Sequence, residues 1–278
     1  MKVAVTGATG LIGMATVDCL RAAGHAVTPV PRGQFELVAG HDAVVHLAGE
    51  SIAGRWTAAK KVRIRESRVN ETRRLCEVMA GKVLVCASAC GFYGDRGDEV
   101  LTEDSTMGTG FLAEVCRDWE AACTGTARAV NLRSGVVLSG RGGALAKMLL
   151  PFRMGLGGVV GSGRQWWSWV ALEDVVRVIQ LVVENDAWRG PVNVVGPEPV
   201  TNREFTKALG RVLRRPTILP MPALAARLAF GEMANEVLLS SGRVQPSRLL
   251  AARFKFRFSD LDSALAHCID GTERVAST

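Results

Sequence analysis

Five short apolar runs punctuate the first half of the chain: KVAVT at 2–6, AVTPV at 26–30, DAVVHL at 42–47, KVLVCAS at 82–88 and ARAVNLR at 127–133. They are too short for buried helices and rich in valine, so each predicts a strand. Between them, stretches at 12–23, 57–79 and 111–123 space their apolar residues three and four apart, which predicts helices. Strand and helix in alternation predict a doubly wound parallel α/β sheet. The connection from Pro31 to His41 leaves room for one helical turn only, because a full crossover needs about a dozen residues. The second half alternates less regularly. GGALAKMLLPFRMGLGG reads as a helix and a glycine-rich loop, and PVNVVGPEPVTNREFTKALGRVL as a strand, a turn and a helix capped at Thr201. A main domain over 1–150, with a returning strand near 190–195, and a small, mostly helical lobe over 151–278 follow from this pattern.

The first strand runs directly into Gly7, Gly10 and Gly13 and then into a helix. That order has a physical reading. Gly7 permits the tight turn out of the strand, Gly10 lets backbone approach a pyrophosphate, and Gly13 brings the helix close to the sheet. The amides at the helix start then face the phosphates. The alternative is an ordinary glycine-rich turn between strand and helix.

Composition narrows the classes. The 278 residues are 48% hydrophobic and 6% aromatic, enough for one large core or a core with a lobe. No apolar stretch approaches the roughly 20 residues that span a bilayer, and the start reads as a strand rather than an export signal. A cytoplasmic protein without membrane partners is expected. Seven cysteines (19, 76, 86, 90, 116, 123, 268) form no CxxC and lie mostly in apolar runs, which suits buried thiols in a reducing compartment. Four scattered histidines predict no metal site. The net charge of +7 is concentrated in residues 55–74, where eight Arg and Lys face Glu66 and Glu71. Read as a helix, this segment turns Val62, Val69 and Leu75 inward. Its arginines then form a solvated face or reach a nucleotide phosphate. No aromatic platform is interleaved with them, which argues against nucleic acid.

Several motifs in order carry a family resemblance: TGATGLIG at 6–13, DAVVHLAGE at 42–50, ASACGFYGDRGDE at 87–99, NLRSGVVLS at 131–139 and PFRMGLGGVVGSGRQWWSWVALEDV at 151–175. They resemble the NAD(P)-binding epimerase-like family, an atypical branch of the extended short-chain dehydrogenases and reductases that ends in a segment of unassigned function. The resemblance implies a Rossmann-type domain, a nicotinamide dinucleotide and a substrate cleft against the C-terminal lobe. It also implies cofactor contacts from Thr9, Leu11, Ile12, Leu47, Ala48, Gly49, Arg63, Arg68, Ser88 and Val137. Dimerisation through helices flanking the sheet is common in this architecture, so a homodimer is expected.

At the end of the second strand, Arg32 stands where an acidic residue would hold the ribose hydroxyls in an NAD enzyme. A guanidinium there suits a 2′-phosphate, so NADP (NADPH) is expected over NAD. The usual mechanism of the superfamily uses Tyr, Lys and Ser. Ser88 matches the serine, but the region matching the Tyr and Lys reads FLAEV, with Phe111 and Val115 in their places. The single tyrosine, Tyr93, has Gly97 four residues on, so no YxxxK exists. A positioned general acid contributes about 10²–10⁴-fold in rate. Tyr93 is the first substitute candidate, and Glu114 or Glu50 with a raised pKa the next.

Arg133, Gln165, Trp166 and Trp167 suggest the far wall of a substrate cleft, with Trp169 nearby and Arg243 and Arg248 as further lining. The tryptophans read equally well as packing. Glu173 and Asp174 suggest a cap for a helix beginning near Leu172. Two functions follow: an NADP-dependent oxidoreductase or epimerase-like enzyme on a small polar carbonyl or hydroxyl compound, with Ser88 and Tyr93 catalytic, or a dinucleotide-binding sensor or scaffold without the catalytic pair.

Overall fold

The computed structural model describes residues 1–79 and 81–276, with side-chain surroundings through Asp270. Strands β1 (Lys2–Thr6), β2 (Ala26–Val30), β3 (Ala43–His46) and β4 (Val83–Ala89) precede the short β5 (Val100–Leu101) and then β6 (Arg128–Ser134). The pairs β7 (Val136–Leu138) with β9 (Trp169–Ala171), and β8 (Trp166–Trp167) with β11 (Val200–Thr201), are small additions. Strand β10 (Gly190–Val194) joins the main sheet, and β12 (Arg243–Val244) pairs with β5. The main sheet is wholly parallel in the order β10-β6-β4-β3-β1-β2, a Rossmann-type arrangement. Its strands are near-continuous apolar runs because helices cover both faces.

One face is covered by α1 (Leu11–Ala22) and α6 (Leu172–Glu184), packed over Val3, Val5, Val85, Val130 and Val192. The other is covered by α2 (Ala58–Arg65), α3 (Glu71–Glu77) and α4 (Phe111–Ala121), over Ala4, Val44, Leu84 and Cys86. Between β2 and β3 the chain makes only a 3₁₀ turn, Phe35–Val38, as the length of that connection requires.

The basic segment departs from the single regular helix that its pattern predicts. A π-turn, Glu66–Asn70, interrupts it between α2 and α3. A π-turn inserts a residue and rotates everything before it relative to everything after it. Ile64 is therefore buried and Val62 half exposed, whereas Val69 and Leu75 face inward as the pattern predicts.

The C-terminal half packs α5 (Gly143–Arg153), α7 (Asn202–Leu213) and α10 (Leu261–Ala276) around Leu138, Leu145, Trp167, Phe205 and Leu265. Helix α7 starts with a capping box: the Thr201 hydroxyl accepts from Glu204 N, and Glu204 Oε2 accepts from Thr201 N at 2.7 Å. The remaining helices are α8 (Ala223–Phe230) and α9 (Ser247–Ala251), with a π-turn at Ala234–Leu238. Glu173 and Asp174 do not cap α6, whose first flanking residue, Ala171, carries no side-chain cap. Asp174 accepts instead from Arg257 N and Phe258 N, and Glu173 pairs with His267, so both tie the tail to the core.

Candidate functional site

The strand order reverses between β1 and β3, and ligands of open α/β sheets lie beyond the strand ends at such a point. There Thr6 and His46 are register partners, and the Thr6 hydroxyl meets His46 Nδ1 at 2.7 Å. Burial lowers the His46 pKa to about 4, so the ring is neutral. The glycine turn follows directly. A Cβ on Gly7 would stand 2.7 Å from the backbone of Leu47 and Ala48, and its φ is +68°. A Cβ on Gly13 would stand 2.0 Å from Gly7 O, so helix α1 lies hard against the turn. At Gly10 the nearest atom would be Gly7 O at 3.3 Å. Two glycines are thus needed by the protein itself, while Gly10 leaves its outer side open for an approaching group. Gly10 also provides the flanking position of α1 with no side-chain cap and no acidic residue in the first turn, leaving the amides at Thr9, Leu11 and Ile12 in a cationic setting. Ile12, Leu47 and Val137 pack on the core just below.

Beside this turn, the loop Leu47–Glu50 is held from the basic helix. Arg68 donates to Glu50 O at 2.9 Å and to Ile64 O, and its guanidinium lies 3.4 Å from where a Gly49 Cβ would be. Arg68 therefore shapes the loop by gripping its backbone. Glu50 takes a hydrogen bond from Lys60 at 2.7 Å and lies 3.7 Å from Arg63. The Lys60 hydrogen bond and charge, with Arg63 and Arg32 further off, hold its carboxyl below the ordinary value. Glu50 is an ionised carboxylate among cations, which is the opposite of a proton donor with a raised pKa. Arg32, Lys60 and Arg63 leave this corner with an excess of positive charge next to the end of β2.

At the ends of β4 and β6, the residues expected to do chemistry are bonded to one another. Ser88 donates to Glu120 Oε1 at 2.7 Å and is buried. Glu120 also receives Arg133 Nε and Nη2, each at 2.8 Å, in a two-pronged pair. Arg133 Nη1 donates to the Tyr93 hydroxyl at 2.9 Å, and that hydroxyl donates to Asn193 Oδ1 at 2.7 Å. Tyr93 is fully buried, and burial pushes its hydroxyl up to about 12 despite the opposing Arg133 charge. Asn193 N in turn donates to Glu103 Oε1. A hydroxyl whose proton is given to Glu120 has none to offer a substrate oxygen, and a phenol sealed beneath Phe92 reaches no cleft. This geometry turns Ser88, Tyr93 and Arg133 from the expected acid, polariser and anchor into one buried polar network. Glu120, Glu103 and Asn193, which complete it, come from three elements distant in sequence.

Phe111 and Val115 begin α4. Val115 is buried; Phe111 packs edge-on to Trp56 with ring centroids 5.4 Å apart and carries the Lys61 ammonium 4.5 Å from its ring centre. Trp56, Ile64 and Met233 form an apolar cluster with Ile52, Phe230 and Leu238 packed against it, joining the C-terminal segment to α4. The Gly110 position has no side chain to cap α4, and Glu236 serves from across the cleft: its two oxygens accept from Phe111 N at 3.3 Å and Leu112 N at 3.1 Å. The other candidate acid, Glu114, is half exposed and pairs with Arg65.

The expected far wall is not brought together. Trp167 lies in the C-terminal core against Phe205, with ring centroids 5.3 Å apart. Gln165 donates to Val160 O and Leu238 O, pinning two loops. Trp166 donates to Asp98 at 2.7 Å under the Arg243 guanidinium. Arg248 donates to the carbonyls of Arg189 and Pro191, anchoring β10. Each has a packing partner because the strands that carry them are short and double-sided. Among the described residues no group of His, Cys, Asp and Glu could hold a metal ion, and no helix is long and apolar enough to cross a membrane.

The switch-point glycine turn, the apposed loop after β3 and the parallel sheet define a nucleotide-binding protein of Rossmann type. The chain belongs to the NAD dependent epimerase/dehydratase family, which matches residues 3–196; residues 221–268 match a domain of unknown function (DUF1731). It is 43% identical to the epimerase family protein MT2273 of Mycobacterium tuberculosis over 290 residues, covering 95% of this chain and 96% of that one. It is 35% identical to the epimerase family protein YfhF of Bacillus subtilis, over 99% of this chain and all of the relative. Among solved structures, the human epimerase family protein SDR39U1 with NADPH superposes with a TM-score of 0.90 at 32% identity, covering 97% of this chain and 99% of that one.

Proposed function

We propose that this chain is an NADPH-binding protein of the family that keeps the dinucleotide site without the superfamily's proton-transfer groups, and so acts by responding to its nucleotide rather than as a carbonyl reductase. The observation that carries this reading is the closed hydrogen-bond circuit of Ser88, Glu120, Arg133 and Tyr93. Every side chain that could replace the missing Tyr and Lys is engaged there or ion-paired at the surface. The nucleotide half rests on the open side of Gly10 and the uncapped start of α1. When bound, NADPH supplies a hydride; the residues present fit its diphosphate at α1 and its 2′-phosphate at Arg32, with Arg63 and Lys60 in reserve around Glu50. The NADPH complex of the human relative supports the choice of cofactor.

The test is calorimetric titration of nucleotide-stripped protein with NADPH and NADH at one ionic strength, for the natural chain and for Arg32→Ala. NADPH should bind more tightly, and Arg32→Ala should narrow the gap by about tenfold or more, the range of a charge-assisted contact. An unchanged ratio removes Arg32 from the site. On the second half, steady NADPH oxidation with a carbonyl panel at rates typical of reductases would overturn the responder reading.

A further inference from the structure

Two stretches of the C-terminal half hold large apolar side chains out in solvent. Leu150 and Met154 project from α5; Ile218 and Leu219 follow α7; Leu224 and Leu228 sit one turn apart on α8. Each is at least half exposed, and Ile218 reaches 79%. The two stretches are laced together. Met221 N donates to Val159 O at 2.8 Å, Gly161 N to Met221 O at 2.9 Å, and Arg215 Nε to Arg153 O at 2.8 Å. Single exposed leucines are ordinary on a protein surface, but a cluster of this size calls for something that covers it.

The charge around it says what. No Asp or Glu occurs between Glu120 and Glu173, nor between Glu204 and Glu232. The same stretches carry Lys147, Arg214, Arg215 and Arg227, all exposed. Arg214 holds its left-handed φ of 52° at the end of α7, where the chain turns into the exposed ILPMP run. A second copy laid on this face by a two-fold axis would bring cation onto cation with no carboxylate to pair with them. An apolar surface rimmed only by cations matches an anionic lipid interface, where leucine and isoleucine enter the acyl boundary and arginine meets the headgroups.

We propose that this face docks the protein peripherally on an anionic bilayer, with α8 and the Ile218–Leu219 turn in the plane of the interface. The contact needs no spanning segment, and it replaces the sequence-based expectation of no membrane partner.

Co-sedimentation of the full chain with vesicles of phosphatidylcholine alone, and of phosphatidylcholine with phosphatidylglycerol, tests it. Binding to the anionic vesicles is expected, weakening as salt is raised. The double variant Ile218→Asp, Leu228→Asp should lower partitioning by about tenfold or more. Arg214→Gln with Arg227→Gln should lower it by about fivefold for each charge. Both pairs lie in solvent, so the melting temperature and NADPH binding should match the natural chain. Equal binding to neutral vesicles, or variants that bind as the natural chain does, would overturn the proposal. So would an absence of vesicle binding. If that absence came with a concentration-dependent dimer that the Asp variant dissolves, the face is an interface between copies; capture of an acidic polypeptide in place of vesicles would make it a protein-docking surface.

Discussion

The Arg133 guanidinium and the Glu120 carboxylate meet as a two-pronged pair at 2.8 Å on both arms, inside the sheet-facing side of α4. Removing one partner of a buried pair strands the other charge, at a cost of about 3–5 kcal/mol. Glu120→Ala is therefore expected to lose that much in chemical denaturation, and Glu120→Gln less, since the amide oxygen still accepts. A loss under about 1 kcal/mol for the alanine variant would show that Arg133 finds another partner.

His46 links folding to acid. Its folded pKa near 4 lies below the 6.5 of an exposed histidine because burial penalises the charged ring. The unfolded chain takes up the proton first as pH falls. The stability that this group contributes is therefore complete above pH 6.5 and is lost on the way down to pH 4, on the order of 3 kcal/mol in all. His46→Asn keeps an acceptor for Thr6 and removes the titration. Its denaturation free energy should fall less steeply across that window than the natural chain's; identical slopes would mean that the ring gains no protection.

The three glycines of the turn separate by what a methyl group would strike. Gly13→Ala drives a carbon into Gly7 O and should cost several kcal/mol or prevent folding. Gly10→Ala meets only one atom at 3.3 Å, so its melting temperature should move little while NADPH affinity drops. Parallel melts and titrations distinguish the two. Undiminished affinity in Gly10→Ala would place the diphosphate elsewhere.

Glu236 joins the C-terminal segment to the start of α4 across the cleft. With Lys61–Glu232 at 2.8 Å and Arg55 on Leu228 O, it is one of three polar ties along that seam. Glu236→Ala leaves two amides of α4 without their acceptor and should cost about 1 kcal/mol. Amide exchange in 228–238 should quicken more than in the sheet. Uniform exchange rates would show that the apolar contacts of Trp56 and Met233 hold the seam unaided.

The sheet was legible because its strands are short valine-rich runs and its glycine turn has a mechanical reason at each position. The π-turn at 66–70 was not, since an inserted residue leaves the polar and apolar alternation nearly unchanged while moving Val62 out and Ile64 in. The site was harder. Arg133, Trp166 and Trp167 have the chemistry of ligand contacts, but chemistry does not state which side of a strand a residue faces. Ser88 and Tyr93 sit close to the expected centre, yet Glu120 and Asn193, distant along the chain, decide where their protons go. Glu236 follows an unremarkable GEMAN run, and only the fold carries it 125 positions back to Phe111.

Strand β10 arrives at the sheet long after β6, its sole neighbour there. During synthesis, β6 must wait as an open edge, with Val130 and Leu132 uncovered, until α6 and β10 have left the ribosome. For that interval the nascent chain offers a ready strand to any other extended polypeptide, so its yield in a cell should depend on how quickly the stretch from 135 to 194 is translated and on chaperones that cover edges in the meantime.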